Sequence, residues 1–249
     1  MAKTIQSIDR AFGILELFTT QNKSELSLAE IAAKAGIAKT TAFTILDTLK
    51  KLGYVQQNQD NAKYMLGYKL LIFSESIQKN DNLIAIARPY LQSLADHFNE
   101  TVHCAVRTGR RIRYIYKVDS TEELFYKTQV GSENYLHSTG VGKAILAFET
   151  GYYEGEYAGE ELVKSSPGTI DNHKDLKAEI EHIRQVGYAL DLEEREIGLK
   201  CVAVPMMIHG QCEAAISISV PTVRMTEEKM EAIKAELLRI KKEIAGKYQ

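Results

Sequence analysis

Two groups of residues carry side chains able to do chemistry, and they lie far apart along the chain. In the first, Lys39, Thr40, Phe43, Thr44, Asp47 and Lys51 recur at steps of one, three and four, a spacing that gathers them on one outward face of a helix. Lysine can neutralise a phosphate, a threonine hydroxyl can meet a phosphate or a base edge, and an aromatic ring can touch a thymine methyl. Thr41 and, in a later polar turn, Lys63 belong to the same chemistry. In the second group, Ser138-Thr139-Gly140-Val141-Gly142 precedes a helical run. Glycines let backbone amides approach a ligand, and a helix start presents N–H groups with a positive dipole end, which suits a carboxylate. Ser217 and Ser219 alternate with Ile216, Ile218 and Val220, so both hydroxyls point to one face of a strand. Such hydroxyls need partners, either a polar ligand or neighbouring backbone and water.

Other chemistries fit less well. The glycine segment is not a phosphate loop, because His137 stands where the first glycine belongs and Ala144 replaces the Ser/Thr. Cys201 paired with His103 or His137 would be a nucleophile for a hydrolase, but cysteines are commonly inert packing residues and this one has no activating neighbour in sequence. Cys104, Cys201 and Cys212 are too scattered for zinc, and His173 and His182 are nine apart, wrong for one helix face. No metal, no cofactor and no catalytic residue is expected.

The elements that must position these groups can be read from pattern. The chain has 249 residues, 45% hydrophobic and 26% charged, which at about 150 residues per domain fits one large domain or two small ones. No run approaches the ~18 apolar residues of a membrane span, and no secretory leader is visible, since Lys3 and Asp9 flank only short apolar stretches. Three cysteines do not make a disulfide scaffold. These features lead to the expectation of a cytoplasmic protein without membrane contact. Residues 1–75 carry nine Lys/Arg against seven Asp/Glu, a balance that permits a nucleic-acid partner without requiring one.

Apolar residues from Ile5 to Phe18 form one helical stripe. Ser27-Leu28-Ala29-Glu30 is a capping box opening a second helix that stops at Gly36. A third helix, with Ala42, Ile45, Leu46 and Leu49 inward, closes at Gly53. Tyr54-Val55 and Tyr64-Met65-Leu66 then bracket the polar stretch Gln56 to Lys63 as a hairpin. Helix, tight turn, helix and wing make residues 1–75 a winged helix-turn-helix. Residues 76–99 read as linker helices, with Pro89 near a first turn. From residue 100 to 249, strands at 102–106, 112–118, 124–130, 188–190, 200–207 and 213–220 mix with helices at 141–148, 176–186 and 227–248. That is an α+β domain around one antiparallel sheet.

At this level of detail the chain resembles the IclR family of bacterial transcriptional regulators. The resemblance is carried by Ser27 through Gly36, Lys39-Thr40-Thr41 and Leu49 through Val55. It continues at Ala87 through Leu91, Leu136 through Ala144, Gly187 through Glu194, Gly198 through Pro205 and Ala214 through Ser219. The resemblance implies a GAF-like C-terminal effector-binding domain, with effector contacts on Gly140, Val141, Asp191, Cys201, Ser217 and Ser219. It implies a DNA face including Ser27, Lys39, Thr40, Thr41, Phe43, Thr44, Lys51 and Lys63. It also implies a homodimer, or a dimer of dimers, on a palindromic double-stranded operator, with a small organic acid as effector and repression as the commoner behaviour. The chain departs from the family where Thr44 replaces a usual arginine and Phe43 stands near a frequent histidine. Asp191 sits awkwardly with an acidic ligand: either burial protonates it, or it accepts a bond from a ligand hydroxyl while the amides hold the acid. The second option favours a hydroxy or keto acid. The alternative reading is a small-molecule-binding or hydrolytic GAF-like enzyme using Cys201, without operator-specific DNA binding.

Overall fold

The computed structural model describes residues 4–19, 24–80, 82–124 and 128–249. The chain divides into two compact units, residues 1–80 and 81–249.

The first unit begins with α1 (Gln6–Leu17), α2 (Leu28–Lys34) and α3 (Lys39–Lys51), followed by the hairpin β1 (Val55–Gln57) and β2 (Tyr64–Leu66). The capping box is present. Ser27 Oγ accepts from the Glu30 N–H at 3.3 Å, and the Ser27 N–H donates to Glu30 Oε2 at 2.8 Å, so two orphan amides of α2 are satisfied reciprocally. Gly36 takes a φ of +63°, which lets the chain reverse into α3 within a few residues. Ile14, Leu26, Ile31, Leu46, Val55 and Tyr64 pack into one core. On α1 the buried side is centred on Ile14, whereas Ile5, Ile8 and Phe12 of the expected stripe are exposed. The helix α4 (Leu71–Asn80) likewise leaves Leu71, Ile72, Phe73 and Ile77 exposed.

The linker expected over 76–99 does not stand apart from both units. Its second half is α5 (Asn82–Phe98), whose Ile84, Ala87, Leu91, Leu94 and Ala95 are buried in the second unit. Pro89 lies inside this helix rather than at its first turn. The other elements of this unit are β3 (Thr101–Thr108), β4 (Arg111–Val118), β5 (Glu133–Tyr135), α6 (Gly140–Phe148), α7 (His173–Val186), β6 (Ala189–Leu192), β7 (Leu199–Ile208), β8 (Gln211–Pro221) and α8 (Glu227–Lys247). One antiparallel sheet runs in the order β5-β4-β3-β8-β7-β6. The strand expected at 124–130 falls partly on residues 125–127, outside the described residues. Leu124 and Thr128–Val130 are not strand, and β4 takes β5 as its outer neighbour instead.

Strand alternation explains the layering. On β8, Ile216, Ile218 and Val220 pack toward α5 and α8, with Val202, Val204 and Met206 of β7. Ala215 of β8 and Ala203 of β7 face the other way, into a second core with α6 and α7. Both faces of the sheet are therefore covered, and the α6 side is lined with small residues. Helix α6 uses that room: every residue from Gly140 to Ala147 is buried. A Cβ at Gly142 would lie 2.2 Å from the Leu136 carbonyl oxygen, so this approach requires glycine.

Gly142→Ala is expected to destabilise the protein by about 1–3 kcal/mol or more, as an overpacked core position does. Gly13→Ala in α1, where nothing lies within 4 Å of the added Cβ, should instead stabilise by about 0.5–1 kcal/mol. Urea unfolding followed by circular dichroism checks both, and equal effects would contradict this packing.

Candidate functional sites

On the first unit, α3 presents Lys39, Thr40, Phe43, Thr44 and Lys51 to solvent, with Thr41 and Asp47 half-buried and Lys63 exposed at the end of the wing turn. Because α3 is capped by Ala38 without any side-chain bond, its first amides remain available to an anion. Some side chains are already engaged. Thr44 Oγ1 donates to the Thr40 carbonyl at 3.0 Å, and Lys51 Nζ pairs with Asp47 at 2.7 Å. The Ser27 hydroxyl donates to Glu30 Oε2 while accepting from the Glu30 N–H, so the capping box accounts for this residue. Asn58 and Asn61 hold Glu25 at 2.9 and 2.8 Å, which ties the wing turn to the segment before α2.

In the second unit, Gly140, Val141, Asp191, Cys201, Ser217 and Ser219 line one enclosed space, joined by Tyr114, Thr139, Arg195 and Leu199. They come from α6, β6, β7, β8, β4 and the loop after β6, so no local pattern groups them. The space is small, about 10 Å³, near the lower limit for one water molecule. Thr139 caps α6, its hydroxyl accepting from the Gly142 N–H and donating to the Tyr135 carbonyl, both at 3.1 Å. Gly140 approaches the sheet so closely that a Cβ there would lie 3.3 Å from the Ala203 Cβ.

Asp191 Oδ1 accepts the N–H of Glu194 at 2.8 Å and that of Arg195 at 3.4 Å, so this carboxyl folds the turn that follows β6. Burial, reinforced by the neighbouring Glu194 carboxyl, pushes its pKa up to about 7 despite these two bonds. Ser219 shares contacts with Cys201 Sγ at 3.1 Å and His103 Nδ1 at 3.4 Å, and His103 Nε2 meets Thr128 Oγ1 at 2.9 Å. The Ser219 hydroxyl thus has protein partners of its own. Burial lowers the His103 pKa to about 3, which keeps the ring neutral, and pushes the Cys201 thiol well above its ordinary value. A nucleophilic cysteine needs the reverse shift, so this thiol is not activated.

Four residues of this site were not expected from sequence: Arg195, Tyr114, Asn134 and His103 in its contact with Ser219. Arg195 Nε donates to Asn134 Oδ1 at 2.9 Å. The only local signal was Asp191 three residues before Glu194, the spacing of a side-chain-capped turn. That spacing says nothing about where Arg195 points.

Residues 76–245 match the family description "Bacterial transcriptional regulator IclR C-terminal", and residues 7–59 match "IclR helix-turn-helix domain". The chain is 33% identical over 236 residues to the HTH-type transcriptional regulator KdgR of Escherichia coli K12, covering 94% of this chain and 89% of that one. Its structure is similar to that of Thermotoga maritima IclR, with a TM-score of 0.83 and 35% identity over 98% of this chain and 99% of that one. An IclR homologue from Microbacterium hydrocarbonoxydans, solved with 4-hydroxybenzoate, shares the fold at a TM-score of 0.78 and 19% identity, over 96% and 99% of the two chains. Fold and matches together define a DNA-binding transcriptional regulator. The chain belongs to the IclR family.

The raised Asp191 pKa has a measurable sign. Its ordinary value is 3.8 and its folded value about 7, so the folded protein binds the extra proton between those limits. The resulting stability is present on the acid side and lost as pH rises through 7. Relative to Asp191→Asn, which keeps the accepting oxygen, the unsubstituted protein should lose about 1–3 kcal/mol between pH 5 and pH 8. Urea midpoints at the two pH values measure this, and parallel profiles would contradict it.

Proposed function

We propose that this regulator is a repressor whose operator binding is modulated by a small organic acid held in residues 81–249. The observation that carries the reading is convergence: six residues placed by family position, on four separate elements, line a single enclosed space in the second unit. The homologue solved with 4-hydroxybenzoate supports a hydroxylated acid as the ligand class. The α6 amides and the hydroxyls of Ser217 and Ser219 suit a carboxylate with a further oxygen substituent. The space is too small as it stands, so binding requires the lining side chains to move apart.

The first unit reads DNA through α3 and the wing. Lys39, Lys51 and Lys63 meet phosphates, with Ser27 as an additional backbone contact at the start of α2. Thr40, Thr41, Phe43 and Thr44 face the bases. A single winged helix makes few contacts, which favours a homodimer on a palindromic operator, or a dimer of dimers. The exposed Ile5 before α1, Ile8 and Phe12 on α1, and Leu71, Phe73 and Ile77 on α4 leave apolar side chains that a second copy would cover. Among the described residues no helix is long and apolar enough to cross a membrane, and the protein is expected to work in the cytoplasm.

Operator binding tests the DNA face. Lys39→Ala should weaken specific and random DNA about equally, while Thr40→Ala should cost roughly 1–3 kcal/mol mainly at the cognate site. Affinity should fall with salt at a log–log slope of roughly −5 for six phosphate contacts. Fluorescence anisotropy over a salt series measures these quantities. A slope near zero, or no effect from either substitution, would remove α3 from the interface.

A further inference from the structure

Arg195 follows Asp191 by four residues and lines the cavity with it. Three observations define its place. The Asp191 carboxyl binds the backbone N–H of Arg195 and of the residue before it, so Asp191 shapes the turn from which the side chain leaves. The guanidinium Nε donates to Asn134 Oδ1 at 2.9 Å. Asn134 is on β5, and β5 and β6 are opposite edges of the sheet. Arg195 therefore reaches from one edge of the curled sheet to the other across the cavity. Its positive charge acts on His103 of β3, Tyr114 of β4 and Cys201 of β7, groups on three different strands around that cavity.

Among the described residues that line the space, Arg195 alone is cationic. The α6 N-terminus offers a carboxylate about half a charge. A guanidinium adds a full charge and a planar fork that matches a carboxylate with two parallel bonds. Asp191, the opposing acid, has its Oδ1 occupied by two backbone amides, which ties it to the turn that carries Arg195.

Resting on the effector-site reading above, we propose that Arg195 is the residue that selects an acid, binding the ligand carboxylate while Asn134 orients the guanidinium plane. Asp191 is then a positioning residue for Arg195. The selection acts on any ligand small enough for the site, and it sets a carboxylate apart from its neutral amide of the same shape.

The test uses the full chain with L-lactate, D-gluconate and 4-hydroxybenzoate, each against its primary amide at matched ionic strength, by calorimetric titration. The unsubstituted protein should bind at least one acid more tightly than its amide. Arg195→Gln should lose about ten- to hundredfold in acid affinity and no longer separate acid from amide. Arg195→Lys should recover part of that preference, and Asn134→Ala should weaken acid binding while keeping its sign. Ser217→Ala should weaken acid and amide alike. If Arg195→Gln keeps the acid-to-amide ratio while Ser217→Ala weakens both, the role of Arg195 is overturned and the effector site stands. If neither substitution weakens binding, the ligand lies elsewhere and both readings fail. No preference for any acid in the unsubstituted protein also overturns the proposal. Should Arg195→Gln fail to fold, the ratios for Arg195→Lys and Asn134→Ala decide the matter.

Discussion

The second unit is organised around a helix with no exposed face. Because α6 is buried along its length against the alanine side of the sheet, its N-terminal amides open into the protein rather than into water. Gly142 allows the backbone to pass against the Leu136 carbonyl. Burial also traps a charge: Lys143 is 1% exposed and ion-pairs with Glu194 and with Glu179. A buried ammonium without a partner would cost several kcal/mol, so Glu194 must come to it. Glu194 in turn donates its backbone N–H to Asp191. One packing decision, at α6, thus runs through Lys143 and Glu194 to Asp191 and the position of Arg195.

The same burial determines the electrostatics of the cavity. Desolvation favours neutral forms, which is why the Asp191 and Cys201 pKa values rise and that of His103 falls. A thiol and an imidazole that both stay neutral lack the thiolate and the basic partner of a cysteine nucleophile. In this low-dielectric surrounding the Arg195 charge is weakly screened.

The first unit solves a different problem with a small core. Ile14, Leu26, Ile31, Leu46, Val55 and Tyr64 hold three short helices and a hairpin, and nearly every polar side chain of α3 is left to solvent. Where the family usually has an arginine this chain has Thr44, whose hydroxyl donates to its own helix at the Thr40 carbonyl. It retains lone pairs that can still accept a bond, so its chemistry differs in kind from that of a cation. Phe43 is 52% exposed and leaves an apolar ring on the same outward face.

Local pattern was enough for most elements. The capping box at Ser27, the glycine stop at Gly36, the period-two alternation of β8 and the apolar stripe of α7 are properties of short segments, and each appears in the structure within a few residues of its expected place. The paired serines and the glycine start of α6 were legible for the same reason. Which stripe of α1 is buried, the docking of α5 on the sheet, and the loss of strand structure at Leu124 and 128–130 were not legible, because each depends on what lies opposite. Arg195 is the clearest case. Its sequence neighbourhood is an ordinary charged loop, and only the curl of the sheet, which brings β5 round to β6, gives its guanidinium a cavity to cross and an asparagine to meet. Spacing along a chain encodes which face a residue occupies; which faces meet is decided by the packing of the whole domain.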